Sequence, residues 1–241
     1  MKGEPEKRLL MKKKLIIVII LLIALISIIY SIILKTQSNS NVTVEEIEKI
    51  EEYISKIYMW KEVTKEALPE FEDINNASSN WLWEVVKKNI EDYEFTYEQI
   101  NKKAKELFGE NFTTEFPTEG TDSMKYDEDK KVYVATQINL DEEDDTFLLD
   151  KIEKINNGYE VDIIEYLEDY SQMQNLNENT QEETYIIIKN LQGEVIDKVN
   201  SSESENKIIE KVKENKEKIS KKKIILNKDK NGNITVKQIK K

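Results

Sequence analysis

The sequence predicts an α+β protein carried on one N-terminal transmembrane helix, with helices packed on an antiparallel sheet and a small C-terminal α/β extension. Three observations carry that class. Residues 15–34, LIIVIILLIALISIIYSIIL, are an uncharged apolar run of twenty residues, which at helical rise spans roughly 30 Å, the hydrocarbon thickness of a bilayer. Past it, three segments repeat apolar residues at spacings of three and four, two of them opened by capping boxes. From about Met124 the period changes to two and hairpin turns appear.

Orientation follows from the flanks. Lys2, Lys7, Arg8, Lys12, Lys13 and Lys14 precede the apolar run, whereas only Lys35 and Lys49 fall in the fifteen residues after it. Positive charge stays inside, so the sequence predicts a cytoplasmic N-terminus and an extracellular C-terminal part at the plasma membrane. A cleaved signal peptide is the rival reading, but its apolar region runs about 7 to 15 residues and ends near an A-x-A site. Here the run is longer, and the small-x-small candidates Thr36-Gln37-Ser38 and Ser38-Asn39-Ser40 contain no alanine. Ser27 and Ser31, with Ala24 on a neighbouring ridge, have the spacing of a helix-dimerisation face, although serines near an interface are commonplace. The chain then divides into a basic tail 1–14, the helix 15–34, a linker 35–42, an extracytoplasmic α+β domain 43–170, a polar linker 171–183 and a C-terminal unit 184–241.

Composition excludes more than it identifies. Beyond residue 35 there are 29 basic against 46 acidic residues, a net of −17. Such a surface repels phosphate backbones, so no nucleic-acid partner is expected. Cysteine and histidine are both absent, which removes Ser-His-Asp triads, Cys-His pairs, thiolate nucleophiles, disulfides, lipid-modified cysteine and Cys or His zinc sites. The apolar residues are patterned rather than diluted, so the exterior part is expected to fold on a packed core.

The elements follow in order. Thr43 and Glu46 form a capping box, with Val42 and Ile47 at the staple positions. Val44, Ile47, Ile50, Ile54 and Ile57 then make one stripe, and Pro69 closes the segment. A membrane-proximal coiled coil would use the same residues, but its seam fails at Lys61 and Thr64, which favours packing onto the domain. A second helix is expected from Ser79 to Tyr93, with Leu82, Val85, Val86, Ile90 and Tyr93 on one face. Trp83 borders that face. Trp81 lies roughly 120° from its centre, which reads as a ring folded over the first turn, with a binding aromatic as the alternative. Thr96 with Gln99 repeats the capping box, Phe95 with Ile100 repeats the staple, and Phe108-Gly109 ends the third helix.

The strands come next. Met124 to Tyr126 pairs with Val132 to Ile138 across a turn at Asp127 to Lys130, and Phe147 to Ile155 pairs across Asn156-Asn157-Gly158 with the strand from Tyr159 to Leu167. After the polar break, Thr184 to Leu191 and Val195 to Val199 read as strands. Ser202 and Glu205 box a helix carrying Ile208, Ile209, Val212 and Ile219. In the last hairpin a five-residue loop, Lys228 to Gly232, sets Leu226 opposite Ile234 and Ile224 opposite Val236.

No catalytic residue, metal ligand or cofactor site emerges. Asn227, Asp229, Asn231 and Gly232 match positions 1, 3, 5 and 6 of a calcium loop, but Gln238 stands where a bidentate carboxylate is needed. The run Asp141 to Asp145 attracts cations by charge and reads as a solvated loop between strands. A wall glycosidase using only carboxylates is the one enzyme class left, and with 46 exterior acids no particular pair stands out. Binding residues are expected on the second parity of the strand Val132 to Ile138. There Tyr133, Ala135 and Gln137 would face away from the core, with Tyr133 as contact and Trp83 as a wall.

Helices first and then a meander over Val42 to Tyr170, with a helix ending Ala104-Lys105-Glu106-Leu107-Phe108-Gly109, resembles the NTF2-like, cystatin-related domains found outside bacterial membranes. The single Arg8 among many Lys, Ile and Asn is similar in style to anchored proteins of low-GC Gram-positive bacteria. The resemblance implies a non-catalytic binding or interaction module of the cell envelope, with a protein or small-ligand partner. An assembly component of a secretion or conjugation machine is the alternative it also implies.

Overall fold

Residues 42–59, 64–90, 92–115, 120–121, 124–135, 143–171 and 184–241 are described by a computed structural model. The apolar run 15–34 with its basic flank, nearly all of the linker 35–42, Lys61, Gln137, Ile138, Asp141, Glu142 and all but Ser171 of the polar break lie outside them. Among the described residues no helix is long and apolar enough to cross a membrane. The class is α+β, with four α-helices among the described residues packed against antiparallel sheets.

Helix α1 (Val44–Ile57) begins at the expected box: the Thr43 hydroxyl accepts the Glu46 N–H, and the Thr43 N–H donates to the Glu46 carboxylate at 2.9 Å. Ile47, Ile50, Ile54 and Ile57 are buried, and Tyr53 joins them. Helix α2 (Ser79–Lys88) stops short of the expected Tyr93, which is 65% exposed. Asn89 ends it, because its side-chain amide donates to the Val85 and Lys56 carbonyls and competes with continued helix. Trp81 is not laid over the first turn at the surface. It is wholly buried between Phe71 and Phe108, and its indole N–H donates to the Ala67 carbonyl at 3.0 Å. Leu82, Trp83, Val85 and Val86 are buried as well, so α2 is covered nearly all round, as a core helix is. Helix α3 (Tyr97–Phe108) opens on the Thr96–Gln99 box and ends at Gly109, whose φ of +99° favours a residue without Cβ.

A small sheet contains β1 (Glu94–Phe95), β2 (Gly120–Thr121), β3 (Met124–Asp127) and β4 (Val132–Ala135) in the order β1-β4-β3-β2. The larger sheet has six strands: β5 (Glu143–Ile155), β6 (Gly158–Asp169), β7 (Tyr185–Lys189), β8 (Val195–Asn200), β9 (Ser220–Lys228) and β10 (Ile234–Lys240). β5 runs along one edge of β6, while β9 and then β7 pair with its other edge. Residues 184–241 therefore share one sheet with the segment before the polar break, and β6 is its centre.

Three local details differ from the sequence reading. The β5–β6 turn is Asn156-Asn157, with Asn157 at φ +64°, and Gly158 already belongs to β6. The last hairpin keeps a five-residue loop but one residue later, Asp229 to Asn233, so that Leu226 faces Val236. A bulge between Val236 and Gln238 then brings Ile239 opposite Ile224, which keeps apolar residues paired. Helix α4 (Glu205–Glu214) starts at Ser204 rather than Ser202, whose amide and hydroxyl both donate to the Asn200 side chain. Ile208 and Val212 of α4 are buried, whereas Ile219 lies beyond the helix, after a 3-10 turn at Lys216–Lys218.

Candidate functional site

The two residues that the sequence nominates do meet. The Trp83 and Tyr133 rings are edge-on with centroids 5.3 Å apart, with Tyr126 and Phe95 at 4.9 and 6.4 Å from Tyr133. They meet in the interior, for Tyr133 is 1% exposed and Trp83 is fully buried. The expected parity of β4 is therefore reversed: Tyr133 points inward while Val132 and Val134 are half-buried. The inner face of the small sheet packs on aromatic rings rather than on an aliphatic layer, which is why the tyrosine is the inward residue. Burial, reinforced by the neighbouring phenols of Tyr97 and Tyr126, raises the Tyr133 pKa.

A cleft of about 930 Å³ lies between α1, the ends of α2 and α3, and the β9–β10 loop. Its floor is fixed by Tyr53, whose phenol donates to the Leu107 carbonyl at 2.8 Å and accepts the Val236 N–H at 2.6 Å. Burial drives that phenol's pKa far up despite the Val236 amide. At one end Lys88 donates to the Ser55 and Tyr58 carbonyls at 3.0 and 2.8 Å, and Asn89 donates to that of Lys56 at 2.8 Å. These are the carbonyls that the end of α1 leaves without helical partners. Burial lowers the Lys88 pKa. Along the rim charges pair with each other, Lys49 with Glu45, Lys56 with Glu52 and Lys103 with Glu106, each at 2.7 Å.

The β9–β10 loop closes the cleft's other end. Its calcium-like spacing has a structural use, because the Asp229 carboxylate accepts the Asn231 and Asn233 N–H groups and the Asn233 side-chain amide, each at 2.8 Å. Those bonds, the Asn233 side chain foremost, lower the Asp229 pKa. Gln238 lies away from the loop and donates to Glu72. Among the described residues no group of three or more Asp and Glu is arranged to hold a metal ion. Of the acidic run, Glu143 to Asp145 open β5.

One pair of carboxylates does converge elsewhere. Glu165 and Glu66 each place an oxygen 3.8 Å from the Lys222 ammonium. A glycosidase needs one of two carboxyl groups protonated to act as general acid. Here a cation stands between them, and the three groups form an ion triad.

The cleft residues were missed because their neighbours are remote in sequence: Tyr53 meets Leu107 and Val236, separations of 54 and 183 residues. One signal was available, a polar-tipped tyrosine inside the isoleucine stripe of α1. No protein-family model, curated protein or solved structure matches the chain.

Proposed function

We propose that this chain is a single-pass envelope protein with a cytoplasmic N-terminus, and that its exterior domain is a non-catalytic module binding a protein or small ligand in the α1–α3 cleft. The observation that carries this reading is the cleft itself. Its floor is locked by the two hydrogen bonds of Tyr53 and its rim charges are mutually neutralised. Such a recess is fixed before a ligand arrives, so little ordering entropy opposes binding. Asn89, Asn231, Asn233 and Thr235 offer neutral donors and acceptors along it. Without histidine or cysteine anywhere in the chain, contact chemistry fits this recess better than proton transfer.

The anchor sets the presentation. Residues 35–41 can reach at most roughly 25 Å when extended, which keeps the start of α1 near the bilayer. Glu46 there binds Lys154 at 2.9 Å, Lys228 at 3.2 Å and the Tyr159 phenol at 2.8 Å, so both hairpin ends share that pole. The cleft starts beside it at Lys49 and Asp229.

A cysteine introduced at Lys105 in the cleft, with Glu203→Cys as a control outside it, tests the proposal in a chain that has no native thiol. On intact cells an impermeant maleimide carrying a photocrosslinker should label both positions, and illumination should give an adduct from the cleft position only. Labelling that requires lysis refutes the topology. Equal adducts from both positions, or none from the cleft, refute the site.

A further inference from the structure

β10 is an edge strand of the larger sheet, and Ile234 and Thr235 at its start line the cleft. In an antiparallel ladder the residues of an edge strand turn their N–H and C=O alternately toward the partner strand and away from it. Two bonds fix that phase on β10. The Asn233 carbonyl accepts the Asp229 N–H at 3.0 Å, so Asn233 turns inward to the other arm of its hairpin. The Val236 N–H donates outward to the Tyr53 phenol at 2.6 Å. Alternation between them sets Thr235 inward, opposite Asn227, and Ile234 outward. Farther along, Ile239 also faces outward, and it exchanges N–H and C=O bonds with Phe71 at 3.0 and 2.9 Å. The edge is thus closed at Ile239 by Phe71 and at the Val236 N–H by a phenol. Among the described residues nothing bonds the outward N–H and C=O of Ile234, where the strand meets the cleft. An open strand edge is a template for another strand.

We propose, resting on the reading of this cleft as the binding site, that its ligand is an extended peptide segment of a protein partner, added as a strand to β10 at Ile234. One peptide residue donates its N–H to the Ile234 carbonyl and accepts the Ile234 N–H, the bond pair of strand addition. The template is rigid before the peptide arrives. The Ile234 side chain packs against the core, and the Asp229 carboxylate holds the preceding loop through Asn231 and Asn233. Charge on the lining adds specificity. Lys49, Lys56 and Lys103 are paired within the rim, and Lys88 is taken by carbonyls. Lys105 and Glu110 at the end of α3 are exposed, line the cleft and enter no ion pair among the described residues. The complementary peptide carries an acidic side chain for Lys105 and a basic one for Glu110.

The test pans a phage-displayed library of random heptapeptides on the full chain in lipid nanodiscs. Recovered peptides are resynthesised with one amide N-methylated at a time. Affinity should fall about tenfold where a methyl removes a bond to Ile234 and stay unchanged at the neighbouring amides. Ile234→Pro removes the outward donor and should abolish binding. Thr235→Pro removes an inward ladder bond, so it should lower the thermal midpoint by at least about 6 °C, and Ile234→Pro should lower it by clearly less. A library that yields no peptide, N-methyl losses without that alternation, or binding that survives Ile234→Pro overturns the proposal. So do equal midpoint losses in the two proline variants, which would put the Ile234 N–H inside the ladder. If the peptides fail while a Lys105→Cys chain still gives its photo-adduct on cells, only strand addition falls; if that adduct is missing too, the reading of the cleft falls with it. An adduct of twice the chain's mass replaces the peptide by a second copy.

Discussion

Gly158 is where β6 touches β9, and replacing it by alanine tests how closely that seam is packed. A Cβ there would lie 1.8 Å from the Leu226 carbonyl oxygen and 2.8 Å from its carbon. Both are backbone atoms of β9, which is paired on its other side with β10, so neither can rotate aside. Relief requires opening the pairs Gly158–Asn227 and Tyr159–Leu226. Two buried backbone hydrogen bonds left unmade cost about 1–3 kcal/mol each, and forced overpacking adds about 1–3 kcal/mol before relaxation. A loss of about 3–9 kcal/mol is expected, which for a domain of this size lowers the melting temperature by at least about 6–12 °C. Trp81 and Trp83 are fully buried, so intrinsic fluorescence during heating reports the transition. Gly193→Ala is the matched control, because Gly193 has φ +82° and nothing within 4 Å of its added Cβ. Backbone strain is then the only cost, about 1 kcal/mol. A Gly158→Ala chain that melts with the wild type, or equal shifts in the two variants, refutes contact as the reason for glycine at 158.

Two further outcomes are expected. Tyr133→Ala should lower stability by about 3–5 kcal/mol, since it empties a buried aromatic site, and an unchanged thermal midpoint would return Tyr133 to the surface. Asp169 is held at a pKa of about 2, against an ordinary 3.8, first by the Lys189 ammonium at 2.7 Å and then by Ser171. A depressed folded-state pKa contributes stability that is present above about pH 4 and lost as the pH falls toward 2. The loss is about 2 kcal/mol, and in denaturant titrations across that window Asp169→Asn should flatten the slope; an unchanged slope would show that the ion pair does not matter.

What was legible in the sequence was local. The boxes at Thr43 and Thr96 appear as read, because a cap is settled by side chains three residues apart. Ser202 failed by the same locality: an equally short bond to Asn200 claimed it, and the helix began at Ser204. Hairpin existence was legible, but register was decided across strands, by the bulge at Val236 and by the close approach at Gly158. Tyr133 was misread because alternation shows that two faces exist and does not show which is wet. That depends on Trp83 and Phe95 lying beneath it. The cleft and the Lys222 ion triad belong to the same class of fact, made by elements that the chain order keeps apart.

Residues 184–241 read as a unit of their own because of the polar break before them, yet they share the sheet, and the charge of their last part shows how. Residues 205–241 hold 13 basic and 5 acidic residues, a net of +8, while residues 36–204 hold 16 and 41, a net of −25. A compositional break that steep looks like a boundary. In the fold it is complementarity: Lys216 reaches Asp150 at 3.4 Å, Lys223 reaches Glu160 and, at 3.3 Å, Asp162, and Lys228 reaches Glu46 at 3.2 Å. Exposed pairs of this kind contribute about 0–1 kcal/mol each, so they do not hold β9 in place. Burial of Ile224 and Leu226 does that. The pairs discriminate instead, because a β9 strand slipped by one residue along β6 would turn Lys221 and Lys223 toward the core and Ile224 and Leu226 away from it. The basic segment 205–241 is therefore the acidic segment's own counter-charge, and residues 36–241 keep a net of −17 after that internal neutralisation.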